Sequence, residues 1–487
     1  MNSLPKRQWI FIALYNLSVI CATGVLSFSV STWFDKIVFG AMLASFAVVL
    51  VSDLRQDGRS VRAGMRERFR SARFLYIAVG AYFLWDAVTL LYTRDLELAL
   101  KKYPYCAEYL LLLLAGIYYC ANRGRLRLLL VSFASVGTMV SIGSYLLYFF
   151  SRRPYYFQRL STARDYNVYS TLIFMSLVVA VVLILNYTKL CFWKRTLLLA
   201  AVLAVNLPAY YLAGSRRMFI MIPWFFAFIA GYELLRLLFA KPRGWGRLGQ
   251  QVVLLAVCAV FYLGAMSLSG PFSRLGASKE IAYQKWEAEQ LNPDTGDGNG
   301  GGGSSSGSTA EKTISTILDT IEDGSMSSKR KLIYSVALRE LLDYSTTEWI
   351  FGRGAAYDLY LYDHTDDAAL LEAYSINENN PRAKGWMSAH NFTLADALNG
   401  GLVKLVLGLV MVGTIIAHIV LALRRERQAG VLLAVPFALI FVNNFISGAY
   451  GMFNDVFFAV MMTVLFGMLY LQRSEAAKSA GKELGDS

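Results

Sequence analysis

The amino-acid sequence predicts an all-α polytopic integral membrane protein of about twelve transmembrane helices, with one long outward-facing and partly helical loop between the ninth and the tenth. Three observations carry this prediction. Hydrophobic residues make up 56% of the chain and charged residues only 17%, and the apolar residues gather into blocks of spanning length. At bilayer depth no water can bond the backbone, and uninterrupted apolar runs of about 20 residues close their own hydrogen bonds only as helices. The basic residues, finally, fall mainly in short segments between the blocks, where Lys and Arg set topology.

The apolar blocks lie near 9–30, 37–54, 74–92, 105–122, 128–150, 168–187, 196–213, 218–238, 250–268, 394–423, 430–447 and 451–471. The first follows Lys6 and Arg7 as a signal sequence would, but it runs on without a clear small-residue cleavage site and reads as a retained span. The strongest orientation marker is the run Arg55, Arg59, Arg62, Arg66, Arg68, Arg70, Arg73. Placing it in the cytoplasm places both termini there. It also places there the basic segments around Arg123–Arg127, Lys189–Arg195, Arg236–Arg247 and Arg424–Arg427, so the alternation never breaks.

The resulting organisation is helices 1–9 over residues 1–268, an outer loop subdomain over 269–393, helices 10–12 over 394–471 and a cytoplasmic tail over 472–487. The long stretch has no block of spanning length but carries helical pattern at 311–322 and 328–343, so it reads as a small soluble subdomain. Within it, residues 295–310 read TGDGNGGGGSSSGSTA, a composition that predicts a flexible tether. There is no internal repeat, phosphate-binding glycine loop or nucleotide fingerprint, which argues against a primary ATP-driven transporter. The net charge of +13 does not indicate nucleic acid, because no basic patch sits on a soluble domain with interleaved stacking aromatics. The five cysteines, Cys21, Cys106, Cys120, Cys191 and Cys258, are odd in number and lack metal-ligand spacing. They indicate neither a disulfide framework nor a zinc site.

Against the topology rule, the short outer segments are basic. Arg152, Arg153, Arg159 and Arg164 fall in 151–167, and Arg216 and Arg217 in the turn at 214–217. Lipid headgroups or solvated helix ends would account for them. A phosphorylated ligand at the outer surface would do so too, since a guanidinium fork matches phosphate geometry and keeps its charge when partly desolvated. His390, one of three histidines, stands just before the tenth span in Ser388-Ala389-His390-Asn391-Phe392. An imidazole there could take a proton from a hydroxyl nucleophile, or it could be a helix-cap or interface residue. His418 lies inside the tenth span and His364 in the acidic stretch Asp363–Asp367; a metal pair of His390 with His364 has no supporting ligand spacing.

The segment HNFTLADALNGGLV, His390 to Val403, resembles the His-Asn signature of the O-antigen ligase and O-antigen polymerase superfamily, with Gly401 at the place of that family's glycine. Arg164-Asp165-Tyr166-Asn167 is similar to the family's outer motif before the sixth span, and Ser215-Arg216 to its turn between the seventh and eighth. Ser328-Lys329-Arg330, a helical pattern and then Phe351-Gly352-Arg353-Gly354 are similar to its long-loop arginine segment. The resemblance covers roughly residues 160–470. Three positions depart from it: Tyr166 replaces a proline, Arg217 a glycine, and Lys404 stands where a second glycine marks the ligase branch.

The resemblance implies an inverting, metal-independent glycosyltransferase without a cofactor, in the bacterial inner membrane. Its donor is a glycan on undecaprenyl pyrophosphate, and it works at the outer face. Arg216 and Arg330 would neutralise the pyrophosphate leaving group, with Arg164, Arg217 and Lys329 as further candidates for the same anion. His390 would receive the acceptor hydroxyl's proton, and Asn167 and Asn391 would bind donor or glycan. The Lys404 departure and the extended loop lean towards a polymerase, whose acceptor is another lipid-linked repeat. A ligase would use a lipid A core. Expected partners are these lipid-linked substrates, membrane lipids and other polysaccharide-assembly proteins, with no nucleic acid. A polysaccharide or lipid-linked-sugar transporter is the rival of another class, and would line the middle of the bundle with basic residues. A membrane sensor or scaffold would make His390 dispensable.

Overall fold

The structure, a computed structural model, describes residues 6–22, 32–120, 122–150, 160–162, 166–186, 191–213, 221–227, 230, 245–291, 325–373, 388–425, 434, 436–438, 440–441 and 456–483. Every regular element among them is helical. The helices are α1 (Lys6–Ala22), α2 (Thr32–Ser71), α3 (Arg73–Thr89, continued by a 3-10 turn Leu90–Tyr92), α4 (Leu96–Tyr119), α5 (Arg123–Phe150), α6 (Tyr166–Asn186), α7 (Phe192–Leu212) and α8 (Trp245–Ser267). There follow α9 (Ser269–Leu291), α10 (Ser325–Leu342), α11 (Thr346–Phe351), α12 (Tyr357–His364), α13 (Ala368–Ala373), α14 (Phe392–Arg425) and α15 (Val456–Glu483).

Among the described residues, seven helices are long and apolar enough to cross a membrane: α2, α3, α5, α6, α7, α14 and α15. Shorter apolar stretches lie in α4 (Ala107–Tyr119) and α8 (Val252–Ser267). The chain is therefore a polytopic, all-helical membrane protein. The spans expected at 218–238 and 430–447 fall largely outside the described residues, as do the tether at 295–310 and the helical pattern at 311–322.

Two segments differ from the sequence reading. The basic run after the second span is not a loop: α2 continues through it to Ser71, with a break at Asp57 (φ −156°, ψ 76°). Asp57 Oδ1 accepts from the Ser60 N–H at 3.0 Å, so it caps a second helix that starts there. Arginine is a good helix former, and the spacing Arg55, Arg59, Arg62, Arg66 repeats with helical period. The stretch after the ninth span is also helical at once, as α9. Its Lys279 reaches back to the Tyr148 carbonyl at the end of α5 and lies 4.0 Å from the centroid of the Tyr148 ring.

Most buried side chains form one core through the bundle, centred on α6, whose Leu172, Ile173, Leu177, Val178 and Val181 are fully enclosed. A separate core belongs to the helices between α9 and α14 and to the start of α14. It joins Ile333, Val336, Ala337 and Leu341 of α10 to Tyr357, Leu361 and Tyr362 of α12, Leu370 of α13, and Ala389, Ala395 and Leu398 at the start of α14. Successive spans reverse direction, so the C-terminal ends of α3, α5 and α7 and the N-terminal ends of α4 and α6 share one face of the bundle. The start of α14 joins that face: the Trp85 indole N–H of α3 donates to the Gly400 carbonyl at 3.1 Å, and the Tyr92 hydroxyl donates to the Phe351 carbonyl at 2.6 Å.

Candidate functional site

His390 sits on this face at the entry to α14, in the left-handed backbone region (φ 48°). For a residue with a Cβ that conformation costs roughly 1–2 kcal/mol, and the packing on either side enforces it. Ser388 and Ala389 are buried before it, and Ala389 belongs to the smaller core. Asn391 follows as the helix cap. Its Oδ1 accepts from the Thr393 N–H at 2.9 Å and the Thr393 hydroxyl at 2.6 Å, and the Ala395 N–H closes the first helical turn on its carbonyl at 2.9 Å. The asparagine of the His-Asn pair thus fixes the helix start and thereby the half-exposed histidine before it.

Lys329 and Arg330 lie in the first turns of α10; their side chains are outside what the structure describes. The position of the helix is nevertheless informative. Ile333, one turn after Arg330, is fully buried in the core that contains Ala389, and its carbonyl accepts from the Tyr362 hydroxyl at 2.8 Å. The helix bearing Lys329 and Arg330 is therefore packed through one small core against the residue next to His390. Arg164, Arg216 and Arg217 lie outside the described residues, as does the Asn167 side chain. The chain flanking them is placed, however. The Leu160 N–H donates to the Leu212 carbonyl at 2.9 Å, and Tyr148, Leu160, Ala209 and Leu212 form a small core of their own. Leu160 and the end of α7 consequently meet on the same face as the start of α14.

Beneath His390, α14 is interrupted at Gly401 (φ 63°, ψ −160°). A helix break frees carbonyls that must find other donors, and inside a membrane protein those donors have to come from protein. The Leu398 carbonyl accepts from the Arg353 N–H at 3.0 Å and from the Tyr344 hydroxyl at 3.0 Å. The Asn399 carbonyl accepts from the Gly354 N–H at 2.9 Å, and the Gly400 carbonyl takes the Trp85 indole. The Phe351-Gly352-Arg353-Gly354 segment is thus the donor strip for the broken helix. Contact is backbone to backbone, since a Cβ on Gly401 would lie 2.5 Å from the Gly352 nitrogen and the Ile350 oxygen. Arg353 itself is taken up by Glu340, Glu348 and the Tyr357 hydroxyl, so it serves the fold of this strip.

A buried charged group spans the break. Lys404, 5% exposed, places Nζ 2.5 Å from Asp86 Oδ1 of α3 and 3.4 Å from Asp396 Oδ1 of its own helix. Asp396, 1% exposed, also accepts from the Tyr82 hydroxyl at 2.7 Å. Asp396 therefore belongs to this network. Next to it, Asp358 of α12 exchanges two hydrogen bonds with the Asn399 side chain, its N–H donating at 2.8 Å and its Oδ1 accepting at 2.9 Å. Burial pushes the Asp358 carboxyl up to about 6.

The other two histidines are accounted for locally. His364 stacks on Tyr360 at 4.1 Å with Nδ1 3.0 Å from the Tyr360 carbonyl, and His418 Nδ1 lies 2.7 Å from the Thr414 carbonyl. No group of three or more His, Cys, Asp or Glu able to hold a metal ion occurs among the described residues. The sequence reading passed over the Lys404–Asp86–Asp396 network. The signal was present in three charges inside apolar blocks, which membrane proteins pair or place at functional sites. No family model matches the chain, and no curated protein matches it.

Proposed function

We propose that this protein is a membrane glycosyltransferase. It moves a glycan from undecaprenyl pyrophosphate to a sugar hydroxyl at the outer face of the bacterial inner membrane, and acts as a surface-polysaccharide polymerase. The observation that carries the reading is the place of His390, in a left-handed turn at a capped helix start and next to Ala389, which shares one small core with the helix that bears Lys329 and Arg330. The resemblance of His390–Val403 to the O-antigen ligase and polymerase signature supplies the substrate class.

In this reading the acceptor hydroxyl attacks the donor sugar C1 from the side opposite the pyrophosphate and gives its proton to His390. The C1–O bond breaks with its electron pair going to the pyrophosphate, and the configuration at C1 inverts. Arg216 and Arg330 offset the charge gained by the leaving group, with Arg164, Arg217 and Lys329 as further cations and Asn167 as a donor-binding residue. Asn391 acts on the reaction by holding the helix start. Twelve spans, cytoplasmic termini and an outward site complete the proposal, on the alternation of basic segments. A polymerase is favoured over a ligase because Lys404 is ion-paired into the fold where the ligase branch carries glycine.

Purified protein in nanodiscs, supplied with lipid-linked donor and acceptor, tests this. General-base catalysis contributes typically 10²–10⁴-fold, so His390→Ala is expected to lose about that much turnover while still binding donor. His390→Gly relieves the positive φ, so it should be no less stable than wild type and equally inactive, which separates chemistry from folding. Turnover within a few-fold of wild type in both variants would remove His390 from the mechanism.

A further inference from the structure

The outer subdomain contains one short helix whose surface does not suit water. In α11, Trp349, Ile350 and Phe351 are 45%, 39% and 43% exposed, although each is large and apolar. The start of the same helix is polar. Ser345 and Glu348 form a reciprocal capping box, and Glu348 is linked to Arg94 at 3.8 Å and to Arg353 at 2.8 Å. An apolar tip under a charged rim, within six residues, is the arrangement of a segment lying at a membrane surface.

Its depth can be read from the helices it touches. The backbone at Ile350 and Gly352 meets Gly401, and the Phe351 ring centroid lies 6.0 Å from that of Trp85 in α3. From Gly401 to Leu423, the end of the apolar part of α14, there are 423 − 401 = 22 steps. At 1.5 Å each they cover about 33 Å, close to the roughly 30 Å of a bilayer's hydrocarbon core. Gly401, and with it the α11 tip, therefore stands at the outer boundary of the hydrocarbon. Tyr92, bonded to the Phe351 carbonyl, is likewise the last residue of the apolar stretch Arg73–Tyr92. The exposed apolar surface continues from the tip to Leu402, 54% exposed, and then to Val406 and Leu409 along α14.

We propose that α11 is an interfacial anchor: Trp349, Ile350 and Phe351 are embedded in lipid of the leaflet in which α14 begins, so the outer subdomain is held in the membrane surface and not only tethered to it. The occupant is bilayer lipid, because the patch is continuous with the lipid-facing side of a spanning helix and lies at the level where tryptophan is favoured. The proposal is independent of any reaction the protein performs.

The test uses the full chain in lipid vesicles with a benzophenone amino acid at single positions. Positions 349 and 350 should give lipid adducts at yields comparable to position 402, and well above position 364 at the exposed end of α12. Yields no higher than at 364, or adducts to a second protein copy instead of lipid, would overturn the anchor. A second measurement leaves the anchor almost intact. Lipids brominated along the acyl chain should quench the fluorescence difference between wild type and Trp349→Phe, and an unquenched difference would count equally against it.

Discussion

α6 and α14 cross the same bundle and are built on opposite principles. α6 is mostly apolar and enclosed over most of its length, with Ser176 fitted against α5 so tightly that a Cβ on Gly137 would lie 2.0 Å from its Oγ. α14 exposes much of its length, is interrupted at Gly401, and buries a lysine and a carboxylate beside the break. The first gains stability from dispersion and close approach, the second holds a strained loop in place through directed bonds. The difference teaches where such a bundle tolerates irregularity. Irregular backbone and buried charge are tolerated in a membrane only where protein satisfies them, and here they are gathered directly under His390.

Both helices depend on a glycine, and the two glycines should fail differently. Gly401→Ala meets backbone atoms at 2.5 Å and a φ of 63°, so no trimming of a neighbour relieves it. Loss of the folded protein is expected, equivalent to more than about 4 kcal/mol. Gly137→Ala meets the Ser176 side chain, and the double variant Gly137→Ala, Ser176→Gly should recover most of the stability. Thermal melts of detergent-solubilised protein distinguish the two. Rescue of Gly401→Ala by a side-chain deletion on its partner would erase the contrast.

The same contrast explains what the sequence revealed. α5, α6 and α14 begin and end within a few residues of their expected bounds, because an apolar block in lipid has one backbone solution. The basic second half of α2 and the whole of α9 were missed, since helices outside the bilayer carry no uniform apolar signal. At the site, His390 and the helix of Lys329 and Arg330 were legible as motifs, but their juxtaposition was not. It depends on a core made of residues from four separate helices. The role of Phe351-Gly352-Arg353-Gly354 was hidden for another reason. Its glycines answer a break about 50 residues away, and only the partner carbonyls show why they are there.

The second test concerns charge. Lys404→Met leaves Asp86 and Asp396 without their cation, and removing one member of a buried pair typically costs about 3–5 kcal/mol. The triple variant Lys404→Met, Asp86→Asn, Asp396→Asn should regain most of that, because a neutral apolar and amide set carries no unpaired charge. Denaturation in a fixed detergent measures both. If Lys404→Met alone were as stable as wild type, the lysine would not be the element joining α14 to α3. An α6 substitution such as Ser176→Ala, which removes only its hydrogen bond to the Ala134 carbonyl, should cost about 1 kcal/mol and provides the scale.

The third test is a pH dependence. Asp358, outside the spans, is buried, its carboxyl is raised by that burial to about 6, and its Oδ2 makes no hydrogen bond within the described residues. In the unfolded chain an aspartate titrates near 3.9. A folded value above the unfolded one means that the folded state binds the proton more tightly. The stability tied to this group is therefore fully present below about pH 4 and declines as pH rises to about 6, and above that the cost of a buried carboxylate is constant. The amount is on the order of 3 kcal/mol. Asp358→Asn keeps an oxygen to accept from Asn399 and keeps the backbone donor, but it cannot ionise. Relative to wild type it should gain stability progressively between pH 4 and 6 and hold that gain at higher pH. Melting curves across this range check it, and a difference between the two proteins that does not change with pH would show that Asp358 is ionised at no cost in its place beside the broken helix.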